Sequence, residues 1–160
     1  MTYYDEISEG YEELHKEEQL KKIKLIKKYL KTKPDDKLLD VGCGTGLTTQ
    51  PWKCKRYGID PAKKLLEKAR EKNNITYKLA KAESIPFKDN FFDIVISITA
   101  IQNFSNIEKA LKEIKRVGKD KFILTFLKKS PKKQLIDKKI KKIFKIKEII
   151  EQEKDIIYII

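Results

Sequence analysis

The sequence predicts an α/β fold built on a mostly parallel sheet that carries one reversed strand near its C-terminal end. Short apolar runs alternate with segments of helical periodicity, and this order is typical of successive parallel strands in one sheet. Residues 92–98 are almost continuously apolar, as expected of a strand covered on both faces. Residues 144–151 and 155–160 have the pattern of a closing hairpin around 152–154.

The predicted elements follow one another in a regular order. Residues 17–31 repeat apolar side chains at helical spacing and stop before Pro34. The next elements are a strand over 37–41, a strand over 56–59, a helix from Pro61 to about Lys72 with Asp60 near its cap, strands over 75–80 and 92–98, a helix capped by Ser105 or Asn106 and ending at Val117, a strand over 121–127 and a basic helix opening at Pro131. We expect residues 1–160 to form a single domain, with a helical segment over 1–33 and a core over 36–160.

Composition excludes several classes of protein. Two cysteines and one histidine cannot supply a four-ligand zinc site or a disulfide framework, so we expect no metal. No run of about 18 apolar residues is present, and the acidic N-terminus is unlike a signal peptide. We therefore expect a cytoplasmic protein without a membrane span. Abundant Lys, Glu and Ile suit a thermophile, although an AT-rich genome biases composition in the same direction.

The net charge of +13 is unevenly distributed. Residues 115–148 hold fourteen Lys or Arg against three acids. Such a basic stretch attracts phosphate backbones, and an RNA substrate is one interpretation of it. A lysine-rich surface of a thermostable protein is the other interpretation.

A glycine-spaced loop, residues 42–46, follows the first predicted strand. Ligands of open α/β sheets bind at the carboxyl ends of strands, where glycine lets the backbone approach them closely. The spacing is G-x-G-x-G, because Leu47 occupies the place of the third glycine in the dinucleotide pattern G-x-G-x-x-G. Asp40 ends the first strand, and Asp60 ends the second, where its two oxygens can accept ribose hydroxyls. The loop alone fits NAD, FAD, S-adenosylmethionine (SAM) or a plain turn, and Asp60 alone fits a helix cap.

Three motifs stand in order over residues 36–127: LLDVGCGTG, YGIDP and AESIPFKDNFFDIVIS. Together they resemble the successive motifs of class I SAM-dependent methyltransferases. The resemblance implies a Rossmann-like, seven-stranded sheet with a C-terminal antiparallel hairpin, SAM as cofactor, and Asp40 supporting the glycine loop. The cofactor-binding residues that it implies are Asp40, Gly42, Gly44, Gly46, Asp60, Pro61, Ala82, Glu83, Ser97 and Tyr11.

Two features qualify this resemblance. Many members carry an acid at the position of Lys81 to receive the adenine amino group, and lysine cannot accept that hydrogen bond. Backbone groups or Glu83 must then hold the adenine. Tyr4 and Tyr11 resemble N-terminal tyrosines that close over SAM, and aromatic packing of a first helix explains them equally well.

The residues after the fourth strand bear on the methyl acceptor. The Asn-Pro-Pro-Tyr-type turn that handles exocyclic amino groups is replaced by residues 97–100, Ser-Ile-Thr-Ala. Cys43 and Cys54 are poorly placed for the nucleophile that carbon-5 methylation of pyrimidines needs. His15 lies in an acidic helix, so no general base is evident. A ring nitrogen such as guanine N7 loses no proton and suits this sparse site.

Residues 96–102 also resemble a segment of the small-subunit rRNA guanine-N7 methyltransferases. This resemblance implies that Gln102 and Asn103 lie at the acceptor pocket, although loop hydrogen bonding is an equal alternative. It further implies a small zinc-binding activator protein that joins the sheet edge at residues 75–80. Three functions therefore remain: methylation of RNA or the translation machinery, methylation of a quinone or metabolite, and a non-catalytic scaffold with the same fold.

Overall fold

The computed structural model describes residues 8–71 and 74–160, and it describes side chains from residue 13 onward. Tyr4 and the side chain of Tyr11 lie outside this part, so the expectation for them stays a prediction. By internal packing the chain divides into two units, one ending at Lys31 and the other comprising Thr32–Ile160. None of the helices in the described ranges is long and apolar enough to cross a membrane.

The first unit contains helix α1, Ser8–Ile26. This helix begins earlier than the predicted span of 17–31, because apolar periodicity does not mark its polar first half. It also ends earlier: Lys28 and Tyr29 donate their amides in tighter i to i−3 bonds that close a turn.

The second unit alternates strands and helices as predicted. Its elements are β1 (Lys37–Val41), β2 (Lys55–Asp60), α2 (Lys63–Arg70), β3 (Thr76–Leu79), β4 (Phe92–Ser97), a 3-10 turn (Ile101–Asn103), α3 (Ile107–Val117), β5 (Gly118–Leu127), α4 (Lys133–Ile143), β6 (Glu148–Glu151) and β7 (Asp155–Ile159). The predicted cap of α3 is confirmed, since the Asn106 side chain accepts from the Lys109 amide.

The seven strands form one sheet in the order β3-β2-β1-β4-β5-β7-β6. All neighbours are parallel except β7, which runs antiparallel to both β5 and β6. The predicted fold class, with its C-terminal antiparallel hairpin, is therefore confirmed. Strand order reverses between β1 and β4, and such a switch point is where open α/β sheets bind ligands.

Apolar side chains cover both faces of this sheet. On one face, Leu66 and Ala69 of α2 pack with Cys43, Ile75 and Tyr77. On the other face, α3 and α4 bury a larger cluster together with the inner side chains of β1, β4 and β5. A burial pattern of this kind explains why the β4 segment is apolar on both sides.

No helix connects β3 to β4, and residues 80–91 cover the sheet there instead. Tyr57, Phe87, Phe91 and Phe92 form a mutually packed aromatic cluster with ring centroids 4.9–5.8 Å apart. Arg116 of α3 holds the connection in place. Its guanidinium donates to the carbonyls of residues 85 and 87, to Asp89 and to both oxygens of Glu113.

Several predicted boundaries were wrong for physical reasons. Strand β5 begins at Gly118 because residue 118 already pairs with Phe92 across a register shift. Strand β6 begins at Glu148, since the Phe144 amide closes the end of α4 and its ring packs on Phe122 at 5.1 Å. Helix α4 begins two residues after Pro131, and α2 begins two residues after Pro61.

We predict that Arg116→Met lowers the free energy of unfolding by about 2–3 kcal/mol, since it removes the charged hydrogen bonds that hold residues 80–91. Urea unfolding measures this loss. Lys112→Met, on an exposed part of the same helix, is the matched control and should change stability by less than about 0.5 kcal/mol. Equal effects of the two substitutions would contradict this account of the loop.

Candidate functional site

The glycine loop bends sharply after β1. Gly42, Gly44 and Gly46 all have positive φ, at 80°, 54° and 86°, which favours glycine at each position. A Cβ atom on Gly42 would lie 2.7 Å from the Cβ of Ala100, and one on Gly46 would collide with the Tyr77 hydroxyl. At Gly44 the nearest atom is 4.0 Å away, so the loop presents its open side there.

Asp40 supports this loop from below. Its carboxyl group is fully buried, and Oδ2 accepts hydrogen bonds from the hydroxyls of Thr48 at 2.6 Å and Thr49 at 2.7 Å. The other oxygen, Oδ1, is buried without a hydrogen-bond partner among the described residues. Burial raises the pKa of Asp40 from 3.8 to about 6; the two hydroxyls oppose this rise, and the charge of Asp60 adds to it. Thr48 and Thr49 were missed in the sequence, although they closely follow the glycines.

Asp60 ties the glycine loop to the end of β2. Its Oδ2 accepts from the Gly44 amide at 2.9 Å, and its Oδ1 accepts from the Ala62 amide at 2.8 Å. The carboxylate is therefore not the cap of α2, whose N-cap residue is Ala62. Each oxygen keeps a lone pair, so the side chain can still accept ribose hydroxyls. Pro61 is exposed in the short bend between Asp60 and Ala62.

The remaining predicted cofactor residues lie along the same edge of the sheet. Residues 80–84 form a turn that joins the end of β2 through the Ala80 amide, which donates to the Asp60 carbonyl. In this turn Ala82 is buried in the core and Glu83 is half-buried. Ser97 is fully buried and its hydroxyl donates to the Val41 carbonyl at 2.9 Å. The Ser97 side chain thus braces β4 against β1, and its contact with cofactor stays a prediction.

The turn after β4 connects the glycine loop to a surface cavity. Ala100 lies against Gly42, while Gln102 and Asn103, two and three residues further on, line a cavity of about 310 Å³. The Gln102 side-chain amide donates to the Thr99 carbonyl at 3.0 Å, and its Oε1 is buried without a partner in the described part of the chain. The other lining residues are Leu127, Lys129, Ser130, Pro131 and Lys132.

Both cysteine thiols are poor nucleophiles at neutral pH. Burial raises the pKa of Cys43 far above its usual value and raises that of Cys54 to about 11. Because the thiolate is the attacking form, this burial disfavours either cysteine as the nucleophile of carbon-5 pyrimidine methylation. Within residues 8–71 and 74–160 no group of three or more His, Cys, Asp or Glu is placed to hold a metal ion.

Folding neutralises much of the basic stretch 115–148. The carboxylate of Glu108 in α3 forms ion pairs with the Nζ atoms of Lys139 and Lys142 in α4, at 3.4 and 3.1 Å. The Asp93 carboxylate pairs in the same way with Lys119 at 2.9 Å. These acids lie outside residues 115–148, so counting charges within the stretch alone overstates its positive charge in the folded chain. Lys129 and Lys132, which line the rim of the cavity, form no ion pair with the described residues.

A mostly parallel sheet with a glycine bend after β1 and a carboxylate ending β2 defines an α/β protein that binds a nucleotide-containing cofactor. A family model described as a methyltransferase domain matches residues 39–126. The chain belongs to this family, the class I SAM-dependent methyltransferases, and SAM is the family's cofactor.

Two relatives show the range of this family. An uncharacterized protein of Methanocaldococcus jannaschii is 34% identical over 126 residues, 78% of this chain and 49% of its own length. The demethylmenaquinone methyltransferase of Symbiobacterium thermophilum is 37% identical over 100 residues, 54% of this chain and 40% of its own. The chain thus spans about half the length of the curated relatives it matches, or less.

Two solved structures share the fold. A SAM-dependent methyltransferase from Aquifex aeolicus superposes with a TM-score of 0.74 at 21% identity, over 86% of this chain and 87% of its own. A Haloferax volcanii methyltransferase in complex with the Trm112 methyltransferase activator gives 0.67 at 19% identity, over 74% of this chain and 57% of its own.

The site fits SAM on its own geometry. Gly44 leaves open space for a ligand beside the loop, and Asp60 keeps lone pairs for hydroxyl donors. The partnerless Oδ1 of Asp40 adds a buried negative acceptor beneath the loop, which favours a ligand carrying a positive charge.

We predict that Asp40→Asn stabilises the ligand-free chain at pH 7 and not at pH 4. Between pH 3.8 and 6 the unfolded state releases the Asp40 proton while the folded state keeps it, so its contribution to stability falls as pH rises. The variant-minus-wild-type difference in unfolding free energy should therefore increase by about 2–3 kcal/mol from pH 4 to pH 7. Urea unfolding followed by Trp52 fluorescence measures it, since Trp52 donates to the Thr48 carbonyl beside the loop. A pH-independent difference would contradict the raised pKa.

Proposed function

We propose that this chain transfers the methyl group of SAM to an anionic acceptor, and that the acceptor is RNA. The observation that carries the proposal is the cavity that the turn after β4 connects to the glycine loop, whose rim bears Lys129 and Lys132 and whose lining contains no acid. It lies at the carboxyl ends of β4 and β5, the edge at which open α/β sheets bind ligands. Lysines at such a rim attract phosphate groups and release their counterions.

The residues of the site divide the work of binding and alignment. The glycine loop and Asp60 hold the cofactor, with Asp40 beneath the loop. Bound SAM supplies an already electrophilic methyl group, so the chain has mainly to align the acceptor and exclude water. Gln102 lines the cavity, and a change of its side-chain rotamer would bring its buried, partnerless Oε1 to an N–H group of the acceptor, such as a base amino group. No described side chain at the cavity acts as a general base, which suits an acceptor atom that loses no proton, such as guanine N7.

A small-molecule acceptor is the second candidate. The demethylmenaquinone methyltransferase among the relatives favours it, and a cavity of about 310 Å³ falls within the range of small-molecule sites. The third candidate, a non-catalytic scaffold, is distinguished from both by cofactor binding.

We predict that the double variant Lys129→Gln/Lys132→Gln weakens binding of a 20-nucleotide single-stranded RNA about 10-fold at moderate salt. Each lysine lost should also reduce the slope of log affinity against log salt by roughly one. Lys145→Gln is the matched control, because Lys145 is exposed in the same basic stretch beyond the far end of α4. RNA affinity measured at three salt concentrations tests this prediction.

Methyl transfer from labelled SAM into separated RNA, protein and small-molecule fractions then tests the acceptor class, with Asp60→Ala as the variant that should lose SAM binding. Label in RNA that falls in the double lysine variant supports the proposal. Label confined to small molecules would contradict the RNA assignment, and the absence of both SAM binding and methyl transfer would favour the scaffold.

We also propose that a small zinc-binding activator of the Trm112 type joins the chain at the edge strand β3. The fold shared with the Haloferax volcanii methyltransferase of the Trm112 complex supports this assignment. On its outer side β3 pairs with no described strand, and Leu79, at its end, is 54% exposed. Unpaired backbone groups beside an exposed apolar side chain are the features that strand addition uses.

We predict that Leu79→Asp weakens a co-expressed complex with Trm112 at least about 10-fold in a pull-down titration, since it places a charge in an apolar contact. Ile149→Asp is the matched control, because Ile149 is 43% exposed on the opposite edge strand, β6. Absence of any complex, or equal weakening by both variants, would contradict an activator site at β3.

A further inference from the structure

Thr99, in the turn after β4, has a backbone conformation that β-branched residues rarely adopt. Its φ is +54°, in the left-handed region, where a branched side chain is strained. Strain of this kind persists only where the surrounding structure imposes it. The contacts that impose this conformation must therefore lie in the turn and in the residues packed around it.

Hydrogen bonds hold all three polar groups of Thr99. Its amide donates to the Thr125 hydroxyl at 2.8 Å, its own hydroxyl donates to Asp155 Oδ2 at 2.7 Å, and its carbonyl accepts from the Gln102 side chain at 3.0 Å. The Thr125 hydroxyl also donates to Asp155 Oδ2, at 2.9 Å. One carboxylate oxygen thus organises two hydroxyls and, through them, the strained residue.

Asp155 and Thr125 have no exposed surface, and they come from distant parts of the chain. Thr125 lies in β5, and Asp155 begins β7, where it pairs with Leu127. A buried carboxylate is costly, and an apolar pair of similar size would fill the same space at a lower cost in desolvation. The polar cluster is therefore explained better by what it holds in place than by stability.

The segment that it holds separates the two halves of the site. Ala100, the next residue, lies against Gly42 of the cofactor loop, and Gln102 lines the cavity. A shift of the Thr99 backbone would move both contacts together, because a single short turn connects them.

We propose that Asp155 and Thr125 are positioning residues: they fix the strained Thr99 turn and thereby set where Gln102 stands relative to the cofactor loop. This inference rests on the proposed function only in its consequence for catalysis. The positioning itself is a property of the turn and can be measured without the acceptor.

The test compares Asp155→Leu, which replaces the carboxylate by an apolar group, with Tyr158→Phe. Tyr158 is also in β7, and its hydroxyl bonds to Asp137 of α4 rather than to the turn. The first readout is the NMR signal of the Gln102 side-chain amide, assigned by its loss in Gln102→Glu. We expect Asp155→Leu to shift or broaden this signal, and Tyr158→Phe to leave it in place and to bind SAM within about twofold of wild type.

The second readout is the rate of methyl transfer at saturating SAM into whichever fraction wild type labels. We expect the rate to fall at least about 10-fold in Asp155→Leu, since small displacements of a positioning group cost rate heavily. Thr125→Val gives the same comparison if Asp155→Leu does not fold. If wild type labels no fraction, the proposed function fails while the NMR readout still decides the positioning.

Thr99→Gly separates relief of strain from simple packing. Glycine adopts a positive φ without strain, so the turn then depends less on the carboxylate. We expect Asp155→Leu to perturb the Gln102 signal less in the Thr99→Gly background than in wild type. An equal perturbation in both backgrounds, an unmoved Gln102 signal in Asp155→Leu, or the same shift in Tyr158→Phe would each overturn the proposal.

Discussion

The bend between β1 and the glycine loop is the constraint on which the rest of the site depends. The amides of Gly42 and Cys43 both donate to the Ile59 carbonyl, and Gly44 donates to the Asp60 carboxylate. The loop is thus fastened to the end of β2 at three successive residues. Since side chains already occupy the space beside Gly42 and Gly46, a Cβ fits neither position, and the loop is open to a ligand at Gly44.

Local signals in the sequence were sufficient for most of the fold. Alternating strands and helices, the apolar β4 segment and the Asn106 cap each depend on neighbouring residues, and each prediction is confirmed. The errors fell where tertiary contacts decide an end. Gly118 enters a strand because Phe92 lies opposite it, and Phe144 leaves one because its ring fits against Phe122. No property of either residue's immediate sequence indicates those partners.

The same distinction applies to the site. The glycine loop, Asp40 and Asp60 are close in sequence to strand ends, so their arrangement could be predicted. The pair formed by Thr125 and Asp155 could not, because the two residues are 30 positions apart and meet the turn after β4 only through the sheet order. The basic stretch shows the converse error: its charges are adjacent in sequence, and acids from elsewhere, such as Glu108, neutralise several of them in the folded chain.

The glycine loop and the residues around the cavity differ in how much their side chains can vary. A loop fastened by backbone amides depends on glycine and on one carboxylate, so the cofactor half tolerates little variation. The cavity that we propose for the acceptor is built from a short turn, the end of β5 and the beginning of α4, whose side chains can vary while the sheet stays intact. The Thr99 turn lies between the halves and touches both. Because β5 and β7 hold that turn through Thr125 and Asp155, they fix the contact of Ala100 with Gly42 and the position of Gln102 at the cavity together.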